Sequence, residues 1–256
     1  MSVIIYPYKM GSTSAKELAE ELGCRRVYPD RKYRYKDDHL IVNWGCSRYP
    51  EWDYDPTHML NDPDAVATAS DKLLTLEALF DSDVPTLNFL TEYEDAKEYF
   101  NQDHSTGRLY CRTLLRSHSG KGIVVATNAD EVVDAPLYTE GVVGYRDEYR
   151  VHVFGEYAID VQMKRKKISA EPNVLVRNHD NGYVYCREGI PDLEYKARED
   201  AVRAVAALGL DFGAVDMIVM RDAPDKYYII EVNTAPGLVG STLLMYARQF
   251  RGYYGS

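Results

Sequence analysis

Two acidic residues and an amide in the C-terminal third are spaced so that three oxygen ligands could meet at one point. Gly213-Ala214-Val215-Asp216-Met217-Ile218 is followed by Glu231-Val232-Asn233-Thr234-Ala235-Pro236-Gly237. Residues 213–221 and 226–233 are rich in Val, Ile, Met and Tyr, which predicts strands, and Asp222-Ala223-Pro224-Asp225 between them has turn composition. A hairpin closing symmetrically there sets Asp216 opposite Glu231, and strand alternation puts Asn233 on the face of Glu231. Two carboxylates and an amide oxygen suit Mg²⁺ or Mn²⁺ and disfavour zinc. The competing reading is two ordinary polar positions in a hairpin. The flanks argue against it: Ala-Val and Met-Ile-Val surround Asp216, and Tyr-Ile-Ile and Val surround Glu231. Strands this apolar are usually buried, and a buried carboxylate tends to pair or to bind metal.

Other charged positions carry two readings each. Arg116-Ser117-His118-Ser119-Gly120-Lys121-Gly122 lies between two expected strands. Its small residues would let backbone N–H groups approach phosphate oxygens, with Lys121 adding charge; a plain hairpin turn has the same composition. It is not a P-loop, which would need Gly at Leu115 and Ser or Thr at Gly122. Lys164-Arg165-Lys166-Lys167 is either a phosphate-facing cluster or, for at least two of the four, a solvated strand end. Arg150 could bind substrate, orient Glu231 or form a structural ion pair. His118 and His152 read as hydrogen-bonding residues, and no Ser or Cys stands beside a base as a nucleophile.

The elements needed to position these groups follow from the pattern. Residues 3–8 predict a strand, Ser14 to Leu22 a helix capped by Ser12 or Thr13 and stopped by Gly23, and Leu40 to Asn43 another strand. This β-α-β opening predicts a small α/β lobe over 1–70, with 46–62 an irregular loop. Helices are expected at 71–80 and 92–101, with an extended segment from Thr86 to Leu90. The texture then turns β-rich, with strands at 108–115, 122–126, 136–139, 148–154 and 157–163. A helix is expected over 193–208, ended by Gly209, and a last one over 241–251, capped by Ser241-Thr242. The whole reads as α/β (α+β) in three parts: 1–70, 71–140 and 141–256.

Bulk composition narrows the partners. A formal net charge of -10 and a pI of about 5.1 argue against broad adhesion to nucleic acid or an anionic membrane, while leaving room for a local basic pocket. No apolar run approaches a membrane span, and Met1 to Tyr6 reads as a strand rather than a signal peptide. Cys24, Cys46, Cys111 and Cys186 are scattered without CxxC spacing, so reduced thiols in a cytoplasmic protein are expected.

Taken in order, these segments resemble the ATP-grasp carboxylate–amine ligases. Gly209 to Asp216 and Glu231 to Leu238 are most similar to the ribosomal-protein glutamate ligase branch. Glu148-Tyr149-Arg150-Val151-His152-Val153-Phe154-Gly155 resembles a phage-encoded COOH–NH₂ ligase group. The resemblance implies an ATP-grasp fold, with nucleotide held between two α+β lobes. It implies nucleotide contacts from Lys72 and Arg112, where the family usually has lysine at the second position. It implies a mobile lid containing Ser119, Gly120, Lys121 and Gly122, and a hinge at Leu137, Tyr138, Thr139 and Glu140 that reads adenine through backbone groups. Glu148 would bind ribose hydroxyls, a cross-strand salt bridge being the alternative. Asp216, Glu231 and Asn233 would be the magnesium ligands. Arg177, with Lys164 or Lys166, would stabilise the transferred phosphoryl group; a surface ion pair is the alternative for Arg177. D-alanine–D-alanine ligases commonly carry arginine where this chain has Ala214, which argues against that activity.

The expected function is therefore ATP-dependent joining of a carboxylate to an amine through an acyl phosphate, with Mg²⁺ or Mn²⁺ and an amino acid, peptide or protein terminus as substrates. A kinase using the same cradle and a non-catalytic nucleotide-binding protein are the rivals. Oligomeric state is not legible.

Overall fold

The computed structural model describes residues 2–52, 56–117, 120–144, 146–168 and 181–255. Its N-terminal part is a parallel sheet built from β1 (Ser2–Pro7), β2 (Arg25–Arg26), β3 (His39–Trp44) and β4 (Met59–Leu60), in the order β2-β1-β3-β4. Helix α1 (Thr13–Leu22) connects β1 to β2. The Ser12 hydroxyl accepts from the Ala15 N–H at 3.4 Å, and Gly23, at φ 64°, ends the helix. β1 and β3 are buried on both faces, as parallel strands usually are. Val3, Ile5, Leu40 and Trp44 pack toward α1 and the last helix, and Ile4, Tyr6 and Ile41 toward Tyr33, Tyr35 and Trp52.

The stretch expected to be an irregular loop contains β4, and an unexpected helix follows it. Asp62 caps α2 (Pro63–Ser70), with proline at its first position. Asp71 caps α3 (Lys72–Asp81) by accepting from the N–H groups of Leu73 and Leu74. Val66, Ala69 and Leu79 of these two helices join the core beneath the C-terminal sheet.

The second sheet is antiparallel: β5 (Phe89–Leu90), β6 (Leu109–Arg112), β7 (Ile123–Ala126) and β8 (Leu137–Glu140), in the order β5-β8-β6-β7. Helix α4 (Tyr93–Glu98) covers it through Ala96. The third sheet, also antiparallel, comprises β9 (Arg146–Phe154), β10 (Tyr157–Lys166), β11 (Tyr183–Cys186), β12 (Phe212–Met220) and β13 (Ala223–Asn233), in the order β11-β10-β9-β12-β13. Helix α5 (Tyr195–Ala207) lays Ala197, Ala201, Ala204 and Val205 against one face. Helix α6 (Ser241–Gly255) packs Tyr246 and Phe250 on Phe154 and Phe212 at one end of the other face.

The hairpin carrying the acidic pair closes differently from the symmetric expectation. It turns at Arg221 and Asp222, two residues early, since Met220 pairs with Ala223. Two irregularities in β13 take up the difference: Val219 pairs with Tyr227 and Met217 with Ile229, and Ile230 is then passed over so that Asp216 faces Glu231. No helix among the described residues is long and apolar enough to cross a membrane.

Candidate active site

On the face of the third sheet opposite α5, the strands set charged residues in rows. Gln162, Arg150, Asp216 and Glu231 stand in cross-strand register along β10, β9, β12 and β13. In the next row Tyr185 stands opposite Lys164, and Glu148 opposite Ile218. A cavity of about 850 Å³ lies between these rows and the second sheet, whose side contributes Tyr110, Arg112, Ile123 and Glu140, joined by Lys72 of α3. Leu87, Ile123, Val142, Ile218 and Ile230 give one part of the cavity apolar walls of the kind an aromatic base packs against.

Asp216 and Glu231 are adjacent but differently satisfied. Arg150 forks onto Asp216, its Nε donating to Oδ1 and its Nη2 to Oδ2, each at 2.7 Å. The Tyr185 hydroxyl donates to Oδ1 and the Asn233 amide to Oδ2, both at 3.4 Å. Burial alone would raise the Asp216 pKa, but the Arg150 charge and its hydrogen bonds outweigh that and hold the carboxyl below its usual range. The half-buried Glu231 carboxylate has no hydrogen bond or ion pair among the described residues. Burial and the Asp216 charge push its pKa up, against the pull of Lys72, Arg150 and Arg112.

A half-buried carboxylate without a partner among the described residues, beside a second carboxylate and an amide that can turn its oxygen inward, fits a hard divalent cation. Among the described residues no group of three or more His, Cys, Asp and Glu side chains is disposed to hold a metal. Two carboxylates and an amide would leave the rest of the coordination shell to oxygens from water or from a bound ligand.

At the other wall, the Lys72 ammonium donates to the backbone oxygens of Ser117 at 2.6 Å and Leu115 at 3.5 Å. Arg112 donates through Nε to the Thr139 hydroxyl at 3.2 Å. Burial lowers the pKa of both cations, and Glu231 partly counters it. The segment from Thr113 to Gly122 links β6 to β7, and the Thr113 N–H donates to the Gly122 oxygen at 2.8 Å. Gly122 sits at φ +73°, where a Cβ would come within 2.8 Å of Leu114 Cγ, so the position requires glycine. Gly120 lines the cavity and Lys121 is exposed; His118 and Ser119 lie outside the described residues.

The remaining expected residues divide. Of Leu137, Tyr138, Thr139 and Glu140, the first three are buried in the sheet, and only Glu140 lines the cavity. It accepts from Asn88 and from the Tyr99 hydroxyl, each at 2.7 Å. Glu148 faces the cavity but pairs with Lys164 at 2.9 Å, so the salt bridge weighed in the sequence is present. Arg150 pairs with Asp216 rather than Glu231. Lys166 is exposed at the end of β10, apart from this cavity. Arg177 lies outside the described residues.

Sequence reasoning missed a second polar node next to the first. Asp160, buried, accepts from Arg187 through both oxygens, from Gln162 at 2.7 Å and from Thr242 at 3.0 Å. Arg187 also donates to the Thr242 hydroxyl, so Thr242 does more than begin a helix. Gln162 donates onward to His152 Nε2 at 3.1 Å, which leaves the Nδ1 proton to meet the Tyr246 hydroxyl at 3.3 Å. The argument that singled out Asp216, a carboxylate within an apolar strand, applies equally to Asp160 in Tyr157-Ala158-Ile159-Asp160-Val161.

No protein-family model matches the chain. Over 213 residues it is 27% identical to a probable alpha-L-glutamate ligase 1 of Shewanella oneidensis, spanning 78% of this chain and 67% of that protein. Its structure is similar to the ATP-grasp ligase PsnB complexed with a phosphomimetic variant of its minimal precursor, Mg and ADP: the TM-score is 0.66 at 13% identity, covering 94% of this chain and 92% of that one. It is also similar to the macrocyclase MdnC of Microcystis aeruginosa bound with precursor peptide MdnA, at a TM-score of 0.65 and 13% identity, over 100% and 99% of the two chains. The architecture is the ATP-grasp fold.

Proposed function

We propose that this chain, an ATP-grasp ligase, joins a carboxylate to an amine with ATP in the cavity between the second and third sheets. The observation that carries the reading is Glu231: a carboxylate with no side-chain partner among the described residues, beside Asp216 and Asn233, in the cavity that Lys72 and Arg112 also line. The apolar walls would take the base, with Glu148 and Glu140 near its sugar. Asp216, Glu231 and Asn233 would hold Mg²⁺, which supplies charge screening for the phosphate oxygens.

The chain's own groups position the rest. Lys72 and Arg112 hold the triphosphate in line with the incoming carboxylate. That carboxylate takes the γ-phosphoryl group and becomes an acyl phosphate; the amine attacks its carbonyl, and phosphate leaves. Lys164 and Arg177 are the candidates to face the transferred phosphoryl group, with Lys166 at a more exposed position. The loop from Thr113 to Gly122 would exclude water, which otherwise hydrolyses the acyl phosphate.

The substrate class proposed is an amino acid joined to a peptide or protein terminus. The glutamate ligase relative and the peptide-bound neighbour support it. ADP release screened over amino acids and peptides with Mg²⁺, with mass spectrometry of the products, tests it. An adduct formed with loss of water is expected; ADP release with a phosphorylated product and no amide would overturn it.

A further inference from the structure

Tyr185 comes from β11, a strand the sequence pattern did not predict, and lines the cavity beside Asp216. The Arg150 guanidinium lies 4.3 Å from its ring centroid, and the Lys164 ammonium 5.6 Å from it. Its hydroxyl also touches Asp216 Oδ1 at 3.4 Å. The ring therefore stands against two cations whose carboxylate partners differ, Asp216 for Arg150 and Glu148 for Lys164.

We propose that Tyr185 is a positioning residue: its ring keeps Arg150 forked onto Asp216 and so fixes the orientation in which Asp216 meets a divalent cation. The inference rests on Asp216, Glu231 and Asn233 being the ligands. Arg150 has two adjacent carboxylates to choose from, Asp216 and Glu231, and its long side chain has the freedom to choose either. Packing of the guanidinium on the ring's π-face favours the position over Asp216. That leaves Glu231 free for metal and holds the Asp216 carboxylate plane still. Without the ring, Arg150 would divide its time between the two, competing with the cation at Glu231 and letting Asp216 rotate. Groups that orient a metal ligand in this way commonly change metal affinity about 10- to 100-fold when removed.

The test uses the full chain and Mn²⁺ alone as the probe, with bound metal read from loss of the free-ion electron paramagnetic resonance signal. Tyr185→Leu should weaken Mn²⁺ binding about tenfold or more. Tyr185→Phe, which keeps the ring, should stay within about threefold of wild type, and Glu231→Gln should abolish binding. Wild-type affinity in Tyr185→Leu, or equal losses in the Leu and Phe variants, would overturn the ring's role while leaving the ligand assignment intact. Wild type failing to bind Mn²⁺, or Glu231→Gln binding it normally, would overturn the ligand assignment and this inference together.

Discussion

Neutralising the two adjacent carboxylates should have opposite effects on stability in the absence of metal. Asp216 is 8% exposed and forked by Arg150, whose side chain is 16% exposed. Asp216→Asn leaves that guanidinium buried without its counter-charge, a loss of about 3–5 kcal/mol. For a domain of this size that lowers Tm by roughly 6–20 °C. Glu231 has a raised pKa because burial and the Asp216 charge both disfavour its ionised form. Glu231→Gln removes that penalty, and a gain on the order of 1 kcal/mol, or roughly 2–4 °C, is expected. The pattern is that of a site whose ligands are kept at some cost to the empty protein. Adding Mg²⁺ with ADP should reverse the order: wild type gains about 2.7 kcal/mol at a hundredfold excess over Kd, and Glu231→Gln gains far less. Thermal unfolding of the three proteins in EDTA and in Mg²⁺ with ADP reads all of this. If Glu231→Gln is destabilised in EDTA as much as Asp216→Asn, the carboxylate is structurally satisfied and the metal argument loses its basis.

The second polar node makes its own predictions. Asp160→Asn should cost about 3 kcal/mol in urea unfolding by leaving Arg187 without its partner, and adding Arg187→Met should return at least about 1 kcal/mol of that in a double-mutant cycle; simple additivity would refute the pairing. His152 is pushed down from 6.5 to about 4, by burial first and the Arg150 charge second. The unfolded chain therefore binds a proton that the native chain refuses between those values, so stability falls as pH drops through that window. The contribution is about 3 kcal/mol in all; His152→Gln should lose correspondingly less stability between pH 7 and pH 4.5. Gly122→Ala, forced to φ +73° with its Cβ against Leu114, should strain the β6–β7 loop by about 1–2 kcal/mol. Faster proteolytic cleavage there and a raised KM for ATP would show it; wild-type behaviour in both would refute it.

Much of this arrangement could be read from residue order. Ser12 and Gly23 bound α1, the helix expected from residue 71 is α3, and the alternation around Asp216 and Glu231 carries enough apolar flank to mark both strands as buried. What escaped reading depended on contacts between distant segments. Helix α2 is short and weakly amphipathic, and it exists because Val66 and Ala69 find the core beneath the third sheet. β4 has only two residues and is defined by pairing with β3. The early hairpin turn was hidden because Asp222 to Asp225 is all turn-like, and only the bulge at Ile230 shows how register is recovered. Within the site, residue types pointed to Asp216, Glu231 and Asn233, but not to how Arg150 divides them or to Tyr185 and Arg187. Tyr185 arrives on β11, four residues long and half-buried throughout, with no periodicity to announce it, and Arg187 directly follows that strand.

The most direct test is ADP formation by wild type and Glu231→Gln in the same mixture of amino acids and peptides, with and without Mg²⁺. Wild type should release ADP only when Mg²⁺ is present, together with an amide product. Glu231→Gln, folded and at least as stable in EDTA, should fall by about 10³-fold or more. Turnover at the wild-type rate in that variant would contradict the account at its centre.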